Sequence, residues 1–168
     1  EIGNEVRAAS SETAVLRVLR NFRHRETLRI AFGDFIDRMP VEAITEQNSI
    51  LADALCEAAY QAAWRTTVSK YGVPMNERGE PARFSVIAFG KLGGNELNYA
   101  SDIDLMYVAE TEGRTQGARI CSNQEFFDRL SQSMTRYLAE VTSRGHVYRV
   151  DLRLRPYGMA GPMVSSIR

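Results

Sequence analysis

Up to Tyr71 the apolar residues recur at helical spacing, and beyond it they come in short runs separated by turns, so the pattern splits the chain in two. After Ser10 and Ser11, the residues Val15, Leu16, Val18, Leu19, Phe22, Ile30, Ala31, Phe35 and Ile36 are interleaved with arginines. Ser11 is placed to cap this run and Glu12 to follow the cap, which predicts a long helix ending near Met39-Pro40. Arg17, Arg20, Arg23, Arg25 and Arg29 make it basic; a solvated or salt-bridged face explains such a row, and a grip on phosphate or a protein partner is the alternative. From Val41 to about Tyr71 a second helix is predicted. Its Ala54, Ala58, Ala59, Ala62 and Ala63 permit close packing, and Gly72 terminates it. Joined at Met39-Pro40-Val41, the two helices form a hairpin.

Pro74, Gly79 and Pro81 make 73–83 a loop and a boundary between a helical region, 1–72, and a core, 73–168. Phe84 to Phe89 and Ile103 to Ala109 are short apolar runs that predict buried strands, with a polar loop from Thr111 to Gly117 after them. Phe126, Phe127, Leu130, Met134, Tyr137, Leu138 and Val141 predict a helix over 123–143, closed by Gly145. His146 to Leu154 alternates as a half-buried strand does, and Pro156, Gly158, Gly161 and Pro162 make a turn after it. The order helix, helix, strand, glycine turn, strand, helix, strand implies an α+β fold, a mixed sheet with flanking helices behind a helical hairpin.

Composition narrows the function. The 168 residues are 44% apolar, which suits a folded chain, and their 21 basic and 21 acidic residues cancel. A neutral balance gives no general case for nucleic acid, and no apolar run approaches the ~20 residues of a membrane span. Glu1 to Ser11 is polar, unlike a secretory signal. Cys56 and Cys121 lack partners at zinc-ligand spacing and read as buried free thiols of a cytoplasmic protein. The end, Ser165-Ser166-Ile167-Arg168, carries no helix or tail signal, as a piece of a longer protein would.

The chemistry concentrates between Gly90 and Leu105. Residues two apart on a strand share a face, so Asp102 and Asp104 project together, and two such carboxylates repel unless a cation lies between them. Mg2+ or Mn2+ is the natural cation, because hard ions take carboxylate oxygens together with substrate phosphates. An isolated Asp-x-Asp is also what a turn cap followed by a surface charge looks like. The glycines upstream favour the site: Gly90, Gly93 and Gly94 allow backbone to approach phosphate, and Lys91 and Ser101 add a cation and a hydroxyl. Neither a Walker A loop nor a dinucleotide fingerprint is present. Arg149, Asp151, Arg153 and Arg155 alternate along the last strand, either as a salt-bridged surface stripe or as the wall of a site. In the second reading Asp151 is the third metal carboxylate, and Arg153 and Arg155 bind phosphate by planar forks. His24 and His146 form no triad with a nucleophile. The reaction such a set supports is nucleotidyl transfer.

Gly-Lys-Leu-Gly-Gly-Asn-Glu-Leu-Asn-Tyr-Ala-Ser-Asp-Ile-Asp-Leu (90–105) and Val-Tyr-Arg-Val-Asp-Leu-Arg-Leu-Arg-Pro-Tyr-Gly-Met-Ala-Gly-Pro (147–162) resemble the bacterial glutamine synthetase adenylyltransferase/adenylyl-removing enzymes. Residues 16–37 resemble the helical segment ahead of that family's catalytic core. The resemblance implies a DNA polymerase beta-like nucleotidyltransferase core, with Asp102, Asp104 and Asp151 as metal-binding carboxylates and Gly93 and Gly94 in the phosphate-cradling turn. Family members carry two such halves. One transfers AMP from ATP to a tyrosine of glutamine synthetase; the other removes it by phosphorolysis to give ADP, and together they regulate nitrogen assimilation. The motifs here are more similar to the adenylyl-removing half, with the adenylylating half and a non-catalytic nucleotide-sensing or partner-binding module as the alternatives. The resemblance also implies a nitrogen-signalling regulatory protein as a partner of the full-length protein, and a further helical region after Arg168.

Overall fold

The computed structural model describes residues 1–167, so that Arg168, the last residue of the expected terminal segment, lies outside it. Helix α1 (Ile2–Ala8) opens the chain, a short element that the polar N-terminal sequence did not announce; Ile2 and Val6 bury its one apolar edge. Helix α2 (Glu12–Phe35) starts where Ser11 accepts a hydrogen bond from the Ala14 N–H, as its capping position predicts. Helix α3 (Val41–Tyr71) runs back against it and ends at Gly72 with φ of 81°. A side chain at Gly72 would place its Cβ 1.9 Å from the Gln116 carbonyl oxygen, so only glycine fits this turn.

Two segments expected as loops contribute strands. β1 (Val73–Met75) pairs antiparallel with β4 (Arg114–Gln116), register Val73 to Gln116. Three-residue strands are too short to print a period on the sequence, and their pairing depends on contacts remote along the chain. Asn123, at the start of helix α5 (Asn123–Ala139), secures the pair by donating from Nδ2 to the carbonyls of Met75 (2.9 Å) and Glu112 (2.7 Å).

The main sheet is built around β3 (Ile103–Ala109), with β2 (Phe84–Phe89) antiparallel on one side. Two short parallel strands share its other edge. β5 (Val150–Asp151) lies beside Ile103 and Asp104, and β6 (Val164–Ser166) beside Tyr107 to Ala109. The sheet is therefore mixed, as expected, and β6 is an addition drawn from a terminal segment without a strand signal. β3 buries Ile103, Leu105, Tyr107 and Ala109 against the helices and turns Asp104, Met106 and Val108 to the other face. Phe84 stacks on Phe127 at 5.5 Å and on Tyr60 at 5.7 Å, so aromatic packing joins sheet, α5 and α3 in one buried cluster that runs across residue 72. Cys56 and Cys121 are free and buried.

Helix α2 ends at Phe35 rather than near Met39-Pro40, and two further predicted lengths shorten, for local reasons. Helix α5 stops at Ala139 rather than Ser143, because the buried Arg20 of α2 takes up the carbonyls of Tyr137, Glu140 and Gly145 where the helix would have continued. The strand expected over 146–154 contracts to two residues. The N–H groups of Val147 and Tyr148 both bond to the Leu138 carbonyl on α5, and beyond Asp151 its own carboxylate captures the Arg153 N–H at 2.8 Å and turns the chain.

Candidate active site

The sheet's register builds the site. Asp104, second residue of β3, is the direct cross-strand partner of Asp151, last residue of β5, and Asp102 sits at the entry to β3. The loop before β3 is further tied to the strand beside it, since the Ile103 N–H donates to the Arg149 carbonyl at 3.0 Å. A pair of carboxylates two residues apart and a third, 47 residues further along the chain, thus stand at one end of the sheet.

The glycine turn folds as a single helical turn, α4 (Gly90–Gly93), directly after β2. Gly90 has φ of 56°, and a Cβ there would lie 2.6 Å from Asp104 Oδ2, so the turn is pressed against the carboxylate. Gly93 has another role: a Cβ there would meet the Ala88 carbonyl oxygen at 2.6 Å, making it a packing glycine behind the turn. The N–H groups of Gly94, Asn95 and Glu96 bond back to Gly90, Leu92 and Lys91. Gly90 and Lys91, by contrast, line an open cleft of about 570 Å³ together with Asn98, Ala100, Ser101, Asp102, Asp104, Arg149, Asp151 and Arg153.

Three cations, Lys91, Arg149 and Arg153, face three carboxylates in this cleft. Arg149 Nε donates to Asp102 Oδ1 at 2.6 Å, and Arg153 holds Asp151 through both carboxylate oxygens, the closest contact 2.5 Å. Those hydrogen bonds keep the Asp151 carboxyl below its usual range and push the Arg153 guanidinium up. Ser101 Oγ donates to Asn98 Oδ1 at 3.3 Å.

Arg155 departs from expectation. Alternation puts it on one strand face with Arg153, but the chain has turned by then; Arg155 is buried, donates to the Leu152 carbonyl at 2.9 Å, and borders an adjoining hollow that shares Asp102, Asp151 and Arg153 with the cleft. Arg149, Asn98 and Ala100 line the cleft as well, beyond the residues that the sequence singles out as ligands. Arg149 stood in the alternating row and was separable from a surface charge only by its position opposite Asp102.

The donor set suits a hard divalent cation: half-buried carboxylates on adjacent strands, Asp104 and Asp151, and the exposed Asp102 ahead of them, beside a turn that admits no side chain. As the side chains lie, no three acidic, histidine or cysteine groups among the described residues are gathered close enough to cage an ion. Arg149 and Arg153 hold two of the carboxylates instead.

Fold and cleft together define an α+β domain with a carboxylate- and arginine-lined site at the end of a mixed sheet. Residues 1–168 match the glutamate-ammonia ligase adenylyltransferase family over their whole length, and the chain belongs to that family. It is 43% identical over 157 residues to the bifunctional glutamine synthetase adenylyltransferase/adenylyl-removing enzyme of Shewanella woodyi, covering 93% of this chain and 16% of the relative. To the protein of the same name from Vibrio parahaemolyticus it is 44% identical, over 89% of this chain and 16% of the relative. For that of Thioalkalivibrio sulfidiphilus the figures are 42%, 95% and 16%. The chain therefore spans about a sixth of the length of the relatives it matches. No helix among the described residues is long and apolar enough to cross a membrane.

Proposed function

We propose that the cleft is one nucleotidyl-transfer site of polymerase beta-like architecture and that it removes AMP from the adenylyl-tyrosine of glutamine synthetase by phosphorolysis. The observation that carries this is the pairing of Asp104 with Asp151 in register, with Asp102 two residues before Asp104 and the Gly90 turn against it. Asp102, Asp104 and Asp151 would hold Mg2+ or Mn2+, which supplies charge neutralisation at the phosphates when bound. Lys91, Arg149 and Arg153 are placed to take phosphate oxygens, and Ser101 and Asn98 to donate or accept at the cleft wall. Asp151, held ionised by Arg153, acts as a ligand or orienting group rather than as a proton donor.

In the reaction, an oxygen of inorganic phosphate attacks the adenylyl phosphorus and the bond to the tyrosine oxygen breaks. The phenolate takes up a proton, and the products are ADP and free tyrosine. The region 1–72 buttresses the core 73–168 in this reading. The cytoplasm is the setting, and the partners are glutamine synthetase, ATP or ADP, phosphate, and a nitrogen-signalling protein acting on the whole enzyme.

The sequence Leu-Asn-Tyr-Ala-Ser-Asp (97–102) and the later Gly-Met-Ala-Gly-Pro (158–162) favour removal over attachment. The test supplies adenylylated glutamine synthetase with phosphate and Mg2+, and unmodified glutamine synthetase with ATP and Mg2+, in separate reactions. ADP released in the first, and lost in Asp102→Asn/Asp104→Asn, supports the proposal. AMP incorporation in the second alone would assign the adenylylating reaction. Thermal unfolding with ADP and Mg2+ separates an inactive fragment from a non-binding one, because a ligand of the folded state raises its stability.

A further inference from the structure

One side chain of the helical hairpin, Arg23, is bonded both to the loop that leads to Asp102 and to the segment that leads to Asp151. Between α4 and β3 the chain from Gly94 to Asp102 has no regular secondary structure, and its centre is held from outside. The Leu97 N–H donates to Ser49 Oγ on α3 at 3.1 Å, and the Tyr99 hydroxyl donates to Asp34 Oδ2 on α2 at 3.1 Å. Arg23, also on α2, reaches both segments that carry carboxylates. One Nη donates to the Tyr99 carbonyl, three residues before Asp102, at 3.4 Å, and the other to the His146 carbonyl, ahead of Arg149 and Asp151, at 3.5 Å. Its guanidinium stacks over the Tyr148 ring at 4.7 Å. Of the other arginines of α2 near Arg23, Arg20 binds the carbonyls of Glu140 and Gly145 on the link from α5 to His146 without reaching the Asp102 loop, and Arg25 and Arg29 pair with Glu26.

We infer that Arg23 is a positioning residue of the site, and that with the Asp34–Tyr99 hydrogen bond it sets the separation of the Asp102 loop from the Asp151 strand. The assignment rests on the reading of the cleft as a nucleotide and metal site. Its mechanical half, the coupling of the two segments, stands apart from that reading. One guanidinium bonded to carbonyls on both segments restrains their relative movement, which two separate anchors would not do. β5 has only two residues in the sheet, so its ladder is too short to fix Asp151 alone. The hairpin is thereby part of the catalytic apparatus rather than an appendage.

Four variants test this: Arg23→Gln, its conservative counterpart Arg23→Lys, Tyr99→Phe and, as a control on the same helix away from both segments, Arg29→Gln. Amide hydrogen exchange in the ligand-free protein reads the coupling directly. Arg23→Gln is expected to accelerate exchange at least threefold in both 97–103 and 146–151, Tyr99→Phe chiefly in 97–103, and Arg29→Gln in neither. Acceleration in one segment only, or in neither, for a folded Arg23→Gln protein overturns the coupling whatever the cleft binds. Mn2+ and ADP binding by titration calorimetry reads the consequence, with affinity expected to fall about fivefold in Arg23→Gln and to recover in part in Arg23→Lys. Unchanged affinity alongside accelerated exchange overturns the positioning role. A wild-type protein that binds neither Mn2+ nor ADP overturns the reading of the cleft and with it the role in positioning, leaving the exchange result to decide the coupling.

Discussion

Arg149 Nε lies 2.6 Å from Asp102 Oδ1, joining the residue before β5 to the residue before β3. The pair bridges two segments already linked through the Ile103 N–H and the Arg149 carbonyl, and both side chains remain largely open to water. A solvent-exposed ion pair is worth about 0.2–1 kcal/mol, so it neutralises the carboxylate at small energetic cost to a competitor. That is the condition under which a site can be charge-balanced when empty and still admit a charged ligand.

Arg149→Gln is accordingly expected to have effects of opposite sign on two ligands. Mn2+ binding without nucleotide strengthens, by at most about fivefold for the loss of a pair of that strength. ADP binding weakens, because a phosphate donor has gone. Electron paramagnetic resonance of free Mn2+ and a nucleotide titration measure the two; a change in the same direction for both would show that Arg149 only supports the fold.

Gly90→Ala meets two obstacles, a left-handed backbone at φ of 56° and Asp104 Oδ2 at 2.6 Å from the new Cβ. The backbone alone sets a destabilisation of roughly 1–2 kcal/mol. Displacement of the Asp104 carboxylate adds loss of the ADP-dependent rise in melting temperature. Denaturant unfolding and thermal shift check the two parts.

Ser49→Ala removes the acceptor of the buried Leu97 N–H, and Leu97 itself is 1% exposed. An orphaned buried donor is expected to destabilise the protein by about 1–3 kcal/mol, more than the loss of an exposed hydroxyl would. Urea unfolding with an unchanged m-value would place the effect in the folded state.

His146 is predicted to titrate below its ordinary pKa. Its partial burial is the first cause, and the positive charges of Arg23, Arg149 and Arg20 add to it against the opposing Asp102. A base whose folded pKa is depressed contributes stability that is complete above the unfolded value of about 6.5 and is lost as pH falls from there through the folded pKa. The carboxylates act lower still: Arg83 holds Glu110 down to about 2, and Arg153 depresses Asp151, so their contribution persists until the acid range. Histidine NMR titration gives the first midpoint, and stability measured from pH 7 to 5 gives the sign.

Much of this architecture was legible from local pattern. Ser11 and Gly72 marked helix ends because capping is decided within a few residues, and the apolar run from Ile103 to Ala109 marked a strand, which the structure shows to be buried on one face. Asp102, Asp104 and the glycine turn stood out because close backbone approach and paired carboxylates leave residue types that few other roles require. β1, β4 and β6 were not legible, being three-residue strands whose hydrogen-bond partners lie far away along the chain. Arg155 leaves the strand face it was expected to share with Arg153 for a related reason: alternation assumes a strand, and the Asp151 side chain ends that strand at its second residue.

By itself the sequence determined the helical hairpin, the two long strands, the glycine turn and the set of carboxylates, all properties of residues near one another in the chain. Only the tertiary structure decided that Asp151 stands opposite Asp104, that Arg149 rather than Arg155 faces the cleft, and that Arg23 spans both acidic segments. Each of these depends on register and on which carbonyl or carboxylate a long side chain reaches across the fold. Local periodicity holds no information about such distances; the packing of α5 on the sheet, and of α2 on α3 and α5, sets them.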